Sequence, residues 1–274
     1  MNSWRRLTLA SAVEVSVKPA AFVLLAATIC LVLAPLGCVL VLSFGGRHVT
    51  GAYRVTTPTL EWYSALPHEV GGDIWPNTLM LVLPVAIMGA IGGFACALNW
   101  WSPARAYTLL ALGFGIAALP SAAYATALVH CCRLLGLTTS SMFILIAADL
   151  LWVLPFCTVI VMAGIGHIRE TQVRSALEMA GGKRGVVIRR VILPPVFPSV
   201  VSACLVALLL STNEYVRSTY MSGAVQLMSK YVYGKMSSGT DPSVYALTGI
   251  NLGFAFTVVL GVLVGIRISR RLAQ

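Results

Sequence analysis

Residues 77–98 contain no Asp, Glu, Lys or Arg and are apolar almost throughout. At 1.5 Å per residue, a helix of that length crosses about 30 Å of hydrocarbon. Similar runs fall at about 20–44, 106–129, 142–164, 196–212 and 244–266. Backbone polar groups in lipid must be satisfied within the segment, so each run is expected to be a helix. The sequence therefore predicts an all-α integral membrane protein with six transmembrane helices in a single domain over residues 1–274. Charged residues are 10% of the chain, against roughly 25% in soluble domains. Pro120 lies inside the third run and is expected to break or kink it. Gly89, Gly92 and Gly93 in the second run allow close helix contact, where packing drives association. No signal-peptide cleavage pattern is read, so the first run is expected to stay as a helix. The polar tail at 1–19 suits the membrane surface, with Trp4 and Leu7 beside Arg5 and Arg6.

Net charge is +10, which in a soluble chain would point to nucleic acid. Here it is read instead as loops rich in Lys and Arg on the inner face, with no nucleic-acid partner. Of the nineteen basic residues, thirteen lie in the N-terminal tail, the Arg105 loop, residues 166–194 and the C-terminal end. The other six are Arg47, Arg54, Arg133, Arg217, Lys230 and Lys235, in the alternate loops. Both termini and the 166–194 loop are therefore expected in the cytoplasm. That loop is the most basic part of the chain, with Arg174, Lys183, Arg184, Arg189 and Arg190. Small residues at Ser175 and Ala176 and the pair Gly181-Gly182 predict a short helix, a tight turn and a second short helix. Leu193, Pro194 and Pro195 are expected to end that second helix and begin the next span.

The loop resembles the cytoplasmic motif of the permease subunits of binding-protein-dependent ABC importers. That motif reads EAA, three residues, G, nine residues, I or V, x, L, P. Without gaps, Ser175-Ala176-Leu177 takes the EAA place, Gly181 the glycine, and Val191-Ile192-Leu193-Pro194 the end. Ser175 departs from the family's Glu, and Glu178 stands three residues too late to replace it. Thr59-Leu60-Glu61-Trp62-Tyr63 is similar to the family's "tleWY", and also fits an interfacial aromatic anchor. Asn77-Thr78 opens the second span as in the family, and Pro155-Phe156 in the fourth matches the same group. Asp149 stands where that group usually has His. Asn213-Glu214-Tyr215 through Ser222-Gly223, Val232-Tyr233 and Asp241 to Leu247 resemble above all the second permease of polyamine importers. Permeases for ferric iron, phosphonates, sulfate and thiamine share much of that wording, so the alternatives stay open.

The resemblance implies the type I ABC importer permease fold, with a helix-turn-helix coupling loop at about 167–194. It implies a multi-pass protein of the bacterial inner membrane that forms half of a solute path. Its partners would be a second permease subunit, two cytoplasmic ATPase subunits, an extracytoplasmic solute-binding protein and the lipid bilayer. Ser175, Ala176, Leu177, Glu178, Gly181, Gly182, Leu193 and Pro194 would seat on an ATPase subunit. ATP and Mg would bind on that partner, with no cofactor on this chain. The residues agree: no GxxxxGK[ST] phosphate loop occurs, nor HExxH, CxxC or GxSxG. His48, His68, His130 and His167 are scattered at membrane edges, and the seven Cys lie mostly in apolar runs, as buried thiols do.

Two carboxylates are candidates for the solute path. Asp149 is the one acidic residue within a predicted span, and Glu214 ends the fifth. Together they suit a cationic solute such as a polyamine. The alternative is that Asp149 pairs with a buried Ser, a Trp N–H or an Arg of the partner subunit and holds helices together. A secondary transporter is the rival class, disfavoured by the short chain, the lack of an inverted repeat and the EAA-like loop. A membrane enzyme would need a polar catalytic cluster at one face, and the sequence shows none.

Overall fold

In lipid both faces of a helix can be apolar, so side-chain size rather than polarity decides which face turns inward. The second span follows this rule. In the computed structural model, which describes residues 3–45, 58–70, 72–98, 103–138, 141–238 and 242–272, it is a helix over Ile74–Ala97. Its buried stripe includes Val82, Ala86, Gly89, Gly93 and Ala97 at helical spacing, while Leu79, Leu83, Ile87 and Ile91 are exposed. Every regular element among the described residues is helical. Arg47, Arg54, His48, Trp100, Trp101 and Asp241 lie outside the described residues.

The chain divides into two compact units, Met1–Leu66 with Asp241–Gly249, and Pro67–Thr240 with Ile250–Gln274. In the first, α1 (Ser3–Ser43) meets the start of α2 (Glu61–Glu69) and the first turns of α12 (Pro242–Leu272). The Leu60-Glu61-Trp62-Tyr63 stretch makes this junction. Trp62 is buried and its indole Nε1 donates to the Gly45 carbonyl at 2.7 Å. The Tyr63 hydroxyl lies 2.8 Å from Ser43 Oγ, and its ring packs on Phe44 at 5.5 Å between centroids.

The second unit is built on three mutually packed helices, α3 (Ile74–Ala97), α6 (Met142–Ile165) and α9 (Leu193–Thr212). Val85, Val153, Cys157, Val161, Ala203 and Ala207 fill the centre and are fully buried. Gly93 lets α3 and α6 approach. A Cβ there would lie 2.7 Å from Cys157 Cβ and 2.8 Å from its backbone carbonyl carbon. Gly93→Ala is therefore expected to cost about 1–3 kcal/mol by overpacking. Gly89→Ala, whose Cβ would meet Cys157 Sγ at 3.4 Å, is the tolerated control. Thermal unfolding of the two variants in nanodiscs checks the pair.

Pro120 does break the third run. α4 (Pro103–Ala117) and α5 (Ser121–Leu134) meet there at 103° between Leu110–Ala117 and Ser121–Leu134. Proline has no N–H to continue the helix and pushes Leu119 out of the helical region. Among the described residues five helices are long and apolar enough to span a membrane, or six if the bent pair is one span. Asn77 and Thr78 at the start of α3 tie it to the chain before α11 (Met228–Ser238). Asn77 Nδ2 donates to the Gln226 carbonyl at 3.4 Å, and Thr78 Oγ1 accepts from the Met228 N–H at 2.9 Å.

Candidate functional site

Between α6 and α9 the chain leaves the bundle as a helix, a turn and a second helix. α7 (Glu170–Met179) opens with Glu170, which pairs with Arg174 one turn on at 2.6 Å. At its end the Gly181 N–H donates to the Glu178 carbonyl and the Gly182 N–H to the Leu177 carbonyl, at 3.0 and 2.9 Å. This two-bond closure satisfies carbonyls that the helix end leaves free and needs left-handed backbone after the cap. Gly181 and Gly182 supply it, at φ 59° and 78°. Residues with a Cβ enter that region at a cost, which accounts for the glycine pair.

The second helix corrects one expectation from the sequence. α8 (Arg184–Val187) is not stopped by Pro194 and Pro195. It runs through a single π turn at Ile188–Ile192 directly into α9. Prolines at the second and third positions of α9 lack the N–H groups that would bond to the Arg190 and Val191 carbonyls. The wider π turn accommodates that loss without a break. A continuous helical connection from loop to span results.

The motif residues divide by face. Ala176 and Leu177 are half-buried, packed with Val173 and Ile188 against the core. Ser175, Glu178, Gly181, Gly182 and Pro194 are exposed, and Leu193 is half-buried. Met179, at the tip of α7, is 91% exposed, which is high for so apolar a side chain. Ser175→Glu has room on this exposed face and is expected to change stability by no more than about 0.5 kcal/mol. Thermal unfolding measured beside the parent checks it.

The two candidate carboxylates meet in one cluster, Asp149 buried and Glu214 half-buried. Asp149, on α6, is 3% exposed. Its Oδ1 accepts from Arg217 Nη2 at 2.6 Å, and its Oδ2 accepts from the Ser211 hydroxyl on α9. Glu214 lies just past α9. Its Oε1 accepts from the Arg217 backbone N–H at 3.1 Å, and its Oε2 lies 3.4 Å from Arg217 Nη1. Arg217 is on α10 (Val216–Met221) and is 1% exposed. Its guanidinium lies 4.2 Å from the centroid of the Trp152 ring, a cation–π contact. Trp152 continues into an aromatic row with Phe156 and Phe114, at 5.1 and 5.7 Å between successive centroids. Tyr124 on α5 closes the side by donating to the Ala148 carbonyl at 3.0 Å.

Asp149 thus pairs with Ser211 and with an Arg of its own chain. Arg217 is the residue that sequence reasoning misses, because in the sequence it stands among the charges of a polar loop. Its one legible signal is its place three residues after Glu214, the spacing of a helical ion pair. The formal charges of the cluster are two negative and one positive. Among the described residues no group of three or more His, Cys, Asp or Glu converges as a metal site.

No family model matches the chain. Among curated proteins it is similar to the spermidine/putrescine transport system permease protein PotC of Haemophilus influenzae. Identity is 25% over 117 residues, 42% of this chain and 45% of that one, so the match spans under half the length of the relative. Among solved structures it resembles a chain of the MetNI methionine ABC transporter in inward-facing conformations. The TM-score is 0.55 at 18% identity, covering 73% of this chain and 94% of that one. It also resembles a chain of a bacterial ABC transporter involved in the import of the acidic polysaccharide alginate. There the TM-score is 0.59 at 16% identity, with 100% of both chains covered. A second structure of a bacterial alginate transporter, in complex with an alginate pentasaccharide-bound periplasmic protein, matches equally at 0.59, over 100% of this chain and 99% of that one. The chain has the fold of ABC importer permeases.

Proposed function

We propose that this chain is the permease subunit of an ATP-driven importer, forming half of a solute path across a bacterial inner membrane with both termini in the cytoplasm. The observation that carries the reading is α7, its glycine turn and α8, set between two spans and continuous with α9. The exposed Ser175, Glu178, Gly181 and Met179 face is the part available to a cytoplasmic ATPase subunit. Movement of the loop would pass into the bundle through α9. ATP and Mg belong to that partner in this reading, and a second permease and an external binding protein complete the assembly.

For the solute, the similarity to PotC favours a polyamine or a similar small cation. Importers of ferric iron, phosphonate, sulfate or thiamine are the alternatives. Both carboxylates face Arg217, Asp149 at 2.6 Å and Glu214 at 3.4 Å, so the more loosely held Glu214 is the better placed of the two to meet a solute cation in this structure. Uptake into reconstituted vesicles tests the reading. ATP-dependent accumulation of labelled spermidine that an ion gradient cannot replace is the expected result. ATP-dependent uptake of an anion instead would remove the polyamine assignment, and gradient-driven uptake without ATP would remove the importer.

A further inference from the structure

α10 has six residues, too few to hold a helix by its own hydrogen bonds. It is seated on α5 and α6 by contacts of its inner face, where Arg217, Ser218 and Met221 are buried. The strongest of these contacts is the pair between Arg217 and Asp149. Yet the seat is incomplete. Among the described residues, Arg217 Nε and Nη1 have no hydrogen-bond partner, although the side chain is 1% exposed. Nη1 feels the charge of Glu214 at 3.4 Å without an aligned bond. Buried donors left unbonded raise the free energy of this arrangement, and water would satisfy them. A buried pair of well-fitted apolar side chains would hold the segment as firmly at less desolvation cost. A charged contact that is strong at Nη2, only ionic at Nη1 and unbonded at Nε among the described residues is suited to opening.

We infer that the Arg217–Asp149 pair is a releasable latch, holding α10 on α5 and α6 in one state and freeing it in another, with Asp149 then opened to water or a cationic group. The opening is local, because α3, α6 and α9 pack directly on one another. Ser218, adjacent to Arg217, is 2% exposed and reports on release. Cys157, fully buried within the core, reports on unfolding of the whole bundle.

The test is thiol labelling of Ser218→Cys in nanodiscs with a water-soluble maleimide, both sites being followed by peptide mass spectrometry. The latch predicts that the new thiol reacts at least about tenfold faster than Cys157, as local opening precedes global unfolding. Asp149→Asn should speed it further, with the new thiol still reacting at least about tenfold faster than Cys157, whose own rate rises only with the loss of global stability. Equal rates at the two sites would show that α10 leaves only with the whole bundle, which overturns the latch. So would a labelling rate indifferent to Asp149→Asn. If that variant does not fold, Arg217→Lys keeps the charge and loses the planar fork, and the same comparison is made with it. The experiment needs no ATPase partner, so failure of the latch and failure of the importer reading are separate results.

Discussion

Asp149→Asn is expected to destabilise the second unit by about 3–5 kcal/mol, the cost of breaking a buried ion pair from one side. The substitution keeps size and leaves the Ser211 contact possible. It strands the Arg217 guanidinium, 1% exposed, without a counter-charge on Asp149. Glu214 at 3.4 Å compensates in part. Removing both charges should behave differently. Asp149→Leu with Arg217→Met replaces the pair by apolar groups in an apolar setting, and stability should return to near that of the parent. Equilibrium unfolding of the parent, Asp149→Leu, Arg217→Met and the double variant in mixed micelles gives the cycle. The double variant is expected to be far less destabilised than the sum of the two singles, a coupling energy of large magnitude. Single effects that simply add would mean the pair contributes nothing as a pair.

Gly181→Asp is expected to abolish ATP-driven uptake, with a loss of about tenfold or more, while the protein remains folded in the membrane. A Cβ at position 181 would meet no heavy atom within 4 Å, so the cost is not steric crowding by neighbours. It is conformational, since φ 59° is the left-handed region, which costs most residues with a Cβ about 1–2 kcal/mol and Asp somewhat less. That is too little to unfold the bundle and enough to re-aim α8 relative to α7. The carboxylate also lands on the face assigned to the ATPase. ATP hydrolysis by the assembled complex should persist without accumulation of solute. Normal uptake in a correctly inserted variant would remove the turn from the coupling role. Ala176→Arg tests the same loop less cleanly, because Ala176 also packs against the core.

The spans are legible in the sequence because their signals are local. An uncharged run such as residues 77–98 has one stable form in lipid, and a proline at 120 cannot continue a helix. Gly93 is legible as a contact point for the same reason, since only the smallest residue admits a backbone so close. The turn at Gly181-Gly182 is equally plain. Two features are not. The helix continuing through Pro194 and Pro195 depends on a π turn, which five residues of mixed type do not announce. The burial of Arg217 depends on a partner 68 residues away, and a lone Arg in a polar stretch carries no periodic signal of its seat. Taken as separate charges on separate elements, Asp149 and Arg217 do not show that they are one pair.

Purification of the chain from its native membrane in mild detergent, with its partners retained, measures the central claim most directly. The account predicts that a nucleotide-hydrolysing subunit comes down in fixed stoichiometry, and that Ala176→Arg weakens its retention while Gly181→Asp keeps it. A chain that purifies alone, and that moves solute with no ATP present, would contradict it.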